Sequence, residues 1–380
     1  MIVLVIKEKS LITILLHEFV DCGRSQPVEW KPLMNFEAVI AVMAVLLALG
    51  FDFVNGFHDT ANAVATVIYT KALRPGLAIL MSGILNFLGA VLVGTAVAMV
   101  ITKIIPQNLV TLPMLVSVLL AAVIWNLITW WYGLPVSSSH CLIGSLFGAG
   151  VAAYGMNGLH WHELEKVLLA LLISPLVGFV AGAAVTWVAC LASGENNKVC
   201  RIEDGDKQKG VSSLMRWLHI LSSASVSFSH GSNDGQKTMG IITLILATHF
   251  SDFGYTFDKV PWWVMLSAAT AIALGTVIGG WRVIRTVGTK ISKERLSHAQ
   301  GFGASMSTAA IILAASSIGA PISTTHTLSS AVAGGTIPAY GASKLNAKTL
   351  WLIALAWVLT LPVAATLSAT CYFILRLFWH

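Results

Sequence analysis

Long apolar runs separated by short polar connections recur along the chain from about residue 35 to its end. A run of 18 or more apolar residues is what a helix needs to cross about 30 Å of hydrocarbon. The pattern predicts about ten spans. The first five are Asn35 to Phe57, Gly76 to Ile101, Leu112 to Tyr132, Val136 to Tyr154 and Val167 to Ala192. The other five are Arg216 to Thr248, Trp262 to Gly280, Ala299 to Ile318, Ile322 to Tyr340 and Thr349 to Phe378. One connection, SGENNKVCRIEDGDKQKG from Ser193 to Gly210, is strongly polar and lies near the midpoint, as a linker between two halves would. Tryptophans at 125, 130, 131, 262, 263, 351, 357 and 379 fall mostly near span ends, the place of interfacial anchors.

The halves read as copies. NGFHDTAN (Asn55 to Asn62) answers HGSNDGQK (His230 to Lys237), and LPVSSSH (Leu134 to His140) answers APISTTH (Ala320 to His326), in the same order and at similar separation. Two patterns duplicated together imply an internal repeat. Five spans per half would set the second copy upside down relative to the first. The charges agree: with ten alternating spans, 14 of the basic residues fall on one side, which marks that side as cytoplasmic and sends both termini outward. The predicted fold is therefore an all-α polytopic membrane protein with two inverted-topology repeats and discontinuous helices at a midplane site. Residues 34–192 form repeat 1, 193–215 a polar cytoplasmic linker, and 216–380 repeat 2. Residues 1–33 form an extension that lacks the charged-then-apolar order and cleavage site of a signal peptide and is given no role.

Composition narrows the function. With 56% hydrophobic and 11% charged residues, the chain carries less than half the charge of an average soluble domain, about 25%. The net charge of +6 sits in connections between spans, so it reports membrane orientation and not a nucleic-acid partner. Five cysteines without CxxC spacing read as packing residues, with neither a metal site nor a disulfide framework. The spacings Gly144 to Gly148 and Gly178 to Gly182 allow close helix packing, within one chain or in a homodimer.

An ionised carboxylate at a helix centre costs at least about 2.5–3.5 kcal/mol on insertion scales, so Asp59 and Asp234 must be compensated. Each follows a glycine and has polar neighbours, Asn55, His58 and Asn62 in one copy and His230, Asn233 and Lys237 in the other. This clustering predicts a helix that breaks in mid-membrane, where freed backbone groups need polar partners. Lys237, three residues after Asp234, shares its face and is placed to pair with it. His58, beside Asp59, titrates near neutral pH and suits a proton-coupled step. Pro135 and Pro321 stand where a helix begins, each followed by hydroxyls: Ser137, Ser138 and Ser139, and Ser323, Thr324 and Thr325. A helix start offers unpaired N–H groups and partial positive charge, so each is a candidate anion cradle. A single copy is read as an ordinary capped helix start. Two copies, each paired with an intramembrane Asp motif, point to a binding site.

NGFHDTANAVATVIYT, LPVSSSHCLIG, FSHGSNDGQKTMGI and PISTTH resemble the signatures of the PiT family of inorganic phosphate transporters, in particular its bacterial low-affinity Pit branch. The resemblance implies two inverted repeats around a midplane site, in a multi-pass protein of the bacterial inner (plasma) membrane. It implies phosphate held by Asn55, Asp59, Asn62, Ser138 and Ser139 from one half and Asn233, Asp234, Thr324 and Thr325 from the other. Members with HD in the first motif resemble proton symporters that take phosphate as a neutral complex with a divalent metal such as magnesium, while those with ND in both use sodium. His58, Asp59, Asp234 and Lys237 are the ion-coupling candidates, and no resident cofactor or metal is expected. A carboxylate facing a phosphate dianion must be protonated or cation-paired, which would supply the coupling. The alternatives are sodium symport, another oxyanion such as sulfate, a passive channel, and an intramembrane enzyme acting on phosphorylated lipids. The last is opposed by duplicated motifs with no nucleophile, base and orienter set.

Overall fold

A computed structural model describes residues 36–192, 200 and 213–378, so the predicted extension and almost all of the predicted linker lie outside the described residues. Among these residues the chain is helical, with one isolated bridge between Ser292 and Leu345. The first half contains α1 (Phe36–Tyr69), α2 (Pro75–Leu92), α3 (Ala96–Ile101), α4 (Leu112–Trp131), α5 (Ser138–Tyr154) and α6 (Trp161–Ala192). The second contains α7 (Ser213–His230), a π-helical turn Gly231–Gly235, α8 (Gln236–His249), α9 (Trp262–Ile278), α10 (Trp281–Thr289), α11 (His298–Ser317), α12 (Thr324–Tyr340) and α13 (Ala347–Arg376). If α7, the π turn and α8 are taken together as the counterpart of α1, the same six-part order occurs twice. Pairing follows the order: α6 packs on α12 as α13 packs on α5, and α1 packs on α9 as α7 packs on α2.

Local chemistry explains the boundaries. Pro75 and Pro113 occupy first turns, where the missing N–H costs nothing. Ser297 and Gln300 close a capping box at the start of α11. Gly155, Gly279 and Gly341 leave helices with positive φ. Among the described residues, five helices are long and apolar enough to cross a membrane, and a sixth span results if α9 and α10, bent by 68°, are counted as one. The ten expected spans also include α5 and α12, each only 17 residues long. Large apolar side chains such as Leu172 and Leu176 on α6 and Val358 on α13 are exposed, whereas Asp52, Asn55, Asp59 and Asp234 are buried. That inside-out polarity belongs in lipid.

The apolar interior falls into two main clusters with a polar layer between them. α1 contributes Ala41, Ala44, Ala48 and Phe51 to one and Ala61, Val64 and Val67 to the other. α7 and α8 meet them in the reverse order, with Ile220 and Val226 in the second cluster and Met239, Ile241 and Ile242 in the first. α5 leads away from the polar layer into the first cluster, and α12 into the second.

Three expectations need correction, and a fourth is made specific. The helix break predicted at the Asp motifs is absent: α1 runs unbroken through NGFHDTAN for 34 residues, and the second copy only widens to a π turn. Side chains supply the compensation that a break would have provided, from the same motifs and from neighbouring helices. The interruptions lie instead before α5 and α12, and between α2 and α3. Cys190 and Cys200 form a disulfide, with Cα atoms 5.5 Å apart, a pairing that no CxxC spacing announces. Trp357 is no interfacial anchor, because its ring stacks on His326 and its N–H donates to the Pro135 carbonyl. The Gly178 and Gly182 positions abut the α12 backbone at Thr327 and Ala331, and Gly144 and Gly148 abut α13, so these spacings serve contacts inside one chain.

Candidate functional site

Asn55, Asp59 and Asn62 recur at helical spacing and so line one face of α1. All three are buried, as is His58. On the other side stand Asn233, Asp234 and Lys237, from the π turn and the first turn of α8, also buried. Two glycines bring these helices close to their neighbours. A Cβ on Gly56 would run into the Ile272 carbonyl of α9, and one on Gly231 into the Asn86 carbonyl of α2.

The two carboxylates share partners. Asp59 takes His58 Nδ1 at 2.8 Å and the Thr325 hydroxyl at 3.2 Å on Oδ1, and the Ser138 hydroxyl at 3.5 Å on Oδ2. Ser138 also donates to Asp234 Oδ2 at 3.1 Å, where Asn55 Nδ2 approaches at 3.4 Å. His230 Nε2 stands between them, 3.6 Å from Asp59 and 3.8 Å from Asp234, too far for a hydrogen bond to either. Its Nδ1 meets Asn86 Oδ1 at 2.8 Å, and Asn86 in turn donates to Thr276. One atom each from Asp59, His230 and Asp234 lies within 4.8 Å of the others, a spacing at which a single small cation could touch all three. Lys237 Nζ comes 2.8 Å from Asp234 Oδ1, an ion pair whose alignment is not that of a hydrogen bond. The ammonium also donates to Ser139 Oγ at 2.5 Å and to the Ile322 carbonyl at 3.5 Å.

The starts of α5 and α12 meet at this layer and point in opposite directions from it, with His140 and His326 ring centroids 4.3 Å apart. Ser137 and Ser323 are the N-caps, accepting from His140 N and His326 N at 3.1 Å. Their hydroxyl oxygens are thus committed to the helices. The first turns carry four more hydroxyls, of which Ser138 and Thr325 donate to the carboxylates and Thr324 lies beside them. Asn62 reaches across from α1 to Thr325 at 2.9 Å and Thr324 at 3.4 Å. Ser139 donates to the Ile322 carbonyl at 2.7 Å.

The fold therefore gathers Asn55, His58, Asp59, Asn62, Ser138, Ser139, Asp234, Lys237, Thr324 and Thr325 into one layer. Asn233 is turned elsewhere: it donates to Ser316 and to the Ala320 carbonyl, accepts from Ile322 N, and so holds the strap leading into α12. Two residues were missed as site members: His230, which begins the second motif, and Asn86, a polar residue inside an otherwise apolar span. Asp52, one turn before Asn55 on α1 and in register with the motif, lies outside the layer.

Chemically, the layer offers two helix N-termini, four hydroxyls, two amides and one ammonium around two carboxylates, all closed off from solvent. Such a set can hold a tetrahedral oxyanion once the carboxylate charge is balanced.

Comparison with known proteins points the same way. Residues 55–368 match the model of the phosphate transporter family. A probable low-affinity inorganic phosphate transporter of Bacillus subtilis is 42% identical over 351 residues, covering 90% of this chain and 99% of the relative. The low-affinity inorganic phosphate transporter PitB of Escherichia coli is 32% identical, covering 89% and 97%. A solved structure, described as the sodium-dependent phosphate transporter, aligns with a TM-score of 0.79 at 28% identity, over 89% of this chain and 99% of that one.

Proposed function

The chain belongs to the phosphate transporter family, and from that premise we propose that it imports inorganic phosphate as a proton symporter working by alternating access. Because the family consists of transporters, the chain is not an enzyme, and the lipid-phosphate hydrolase reading falls away.

The observation that carries the mechanism is the bridge from Ser138 to both Asp59 and Asp234, which puts a carboxylate from each half against the meeting point of two helix starts. Phosphate docks between those starts, taking donors from Ser138, Ser139, Thr324 and Thr325, with Asn55 and Asn62 at its flanks. Two carboxylates oppose it, and only Asp234 has a fixed cation beside it, Lys237. Asp59 is compensated by imidazoles, His58 and His230, whose charge depends on protons. Anion binding is then favourable only after a cation has arrived, which is the thermodynamic content of symport. Carriage of phosphate as a neutral magnesium complex lowers the same repulsion. The opposite order in which α1 and α7–α8 meet the two apolar clusters supports inverted repeats and a rocking of one half against the other. Closure of the site on both sides speaks for an occluded carrier and against an open channel. The protein is assigned as multi-pass in the bacterial inner membrane.

The second reading is sodium symport, favoured by the description of the solved neighbour and by the close approach of Asp59, His230 and Asp234. Radiolabelled phosphate uptake into proteoliposomes separates the two. The purified protein is given an imposed pH gradient or an imposed sodium gradient, each with and without magnesium. Uptake driven by the pH gradient and raised by magnesium upholds the proposal. Uptake driven by sodium alone replaces the coupling ion. Failure of both, with uptake of labelled sulfate in its place, moves the substrate to another oxyanion.

A further inference from the structure

Asp52 lies outside the phosphate layer yet is fully buried, and neither of its carboxyl oxygens has a hydrogen-bond partner. It stands on α1 one turn before Asn55 and two turns before Asp59, on the same face. Phe51, beside it, belongs to the apolar cluster that closes one side of the site. Thr238 and Asn55 are the side chains placed to donate to the carboxyl, neither closing a well-formed hydrogen bond to it, and the charged groups that face it are Asp234 and Lys237. Thr238 Oγ1 is also buried without a partner.

An ionised carboxylate with no donor is among the costliest things to hold inside a membrane protein. Lys237 cannot serve it while committed to Asp234 at 2.8 Å. Two idle polar groups side by side, at the edge of a sealing cluster, suit a proton binding site in its closed state. The carboxyl is neutral there, and it ionises when the seal opens and water or the Thr238 hydroxyl can serve it.

We propose that Asp52 is the carboxyl that carries the co-transported proton. The proton bonds to a carboxyl oxygen from water on one side and is released to water on the other after the halves rock. His58 and His230 stay as the clasp of Asp59. This rests on the proton-symport reading above.

The test uses the full chain in proteoliposomes with two assays. One is phosphate exchange between equal pools at equal pH, which needs no net proton movement. The other is accumulation driven by a pH gradient. Asp52→Asn, a permanent mimic of the neutral acid, is expected to exchange within about twofold of wild type but to lose driven accumulation by about tenfold or more. Its exchange rate should also lose the pH dependence of wild type. Asp52→Glu should keep driven accumulation. The proposal is overturned if Asp52→Asn still concentrates phosphate on a pH gradient, or if both variants lose exchange, which would make the residue structural. Should wild type exchange phosphate but follow only sodium, Asp52 loses its role while phosphate transport stands. Should wild type not exchange phosphate at all, the underlying reading fails and takes this one with it.

Discussion

Asn62 on α1 donates to the hydroxyl of Thr325 on α12 at 2.9 Å, joining the Asp motif of one half to the helix start of the other. Its counterpart in the second motif, Lys237, makes the reciprocal bond to Ser139 at the start of α5. The two halves thus hold each other by the same pair of contacts. They differ in charge, since one contact uses a neutral amide and the other an ammonium. That difference sets the electrostatics of the whole layer.

Lys237 is the fixed countercharge of Asp234, so removing it should be felt in stability before function. Breaking one side of a buried ion pair costs about 3–5 kcal/mol, because the remaining charge is left uncompensated. Lys237→Met is expected to melt well below wild type in detergent, and the double variant Lys237→Met with Asp234→Asn to recover most of the loss. Equal melting of the single variant and wild type would show that Asp234 is not ionised beside it.

Asp59 is hydrogen-bonded to His58, Ser138 and Thr325 from three helices, with the His230 ring 3.6 Å away on a fourth. Asp59→Asn keeps the shape and removes the charge. The expected result is a folded, monodisperse protein whose gradient-driven phosphate uptake falls to that of empty liposomes. Wild-type uptake by this variant would remove Asp59 from the coupling machinery.

The sequence was most legible where chemistry was forced. A buried Asp with a glycine and amides around it, or a Pro followed by three hydroxyl residues, has few structural uses, and both copies of each pattern meet in one layer. Less legible was how a charge is compensated. Lys237 beside Asp234 and His58 beside Asp59 were legible from spacing, but Ser138, His230 and Thr325, which complete the shell of Asp59, are remote from it in sequence. Depth was hidden for a related reason: α5 and α12 begin inside the molecule at the site, and hydropathy records how apolar a helix is and not the depth at which it starts. Nor does a pattern distinguish a capping hydroxyl from a free one, which is why three serines were grouped that the structure separates.

Gly231 tests the packing of the second motif. Its α-carbon lies against the Asn86 carbonyl, so a methyl group there would collide with backbone, which cannot swing away as a side chain can. Gly231→Ala should force α2 from the π turn and break the bond from His230 to Asn86 that the close approach permits. Sharply reduced yield of folded protein is expected, whereas Gly76→Ala, in open space, should express as wild type. Normal yield and uptake from Gly231→Ala would mean that α2 has room to move.

Ser137 and Ser138 are adjacent and chemically identical, yet their positions predict opposite phenotypes. Ser137 is an N-cap whose oxygen accepts from His140 N, and losing such a cap costs typically about 1 kcal/mol of stability. Ser138 is the first residue of α5, and its hydroxyl is the donor that reaches both carboxylates and is free to turn toward phosphate. A hydrogen bond to a charged group is worth about 1.5–3 kcal/mol, so Ser138→Ala should raise the KM for phosphate by about tenfold or more. Ser137→Ala should lower the melting temperature with KM almost unchanged. The comparison needs only the two alanine variants, a melting curve and a concentration series of uptake. If Ser137→Ala raised KM as far as Ser138→Ala while melting like wild type, the cap assignment would be wrong and the first hydroxyl would belong to the phosphate site.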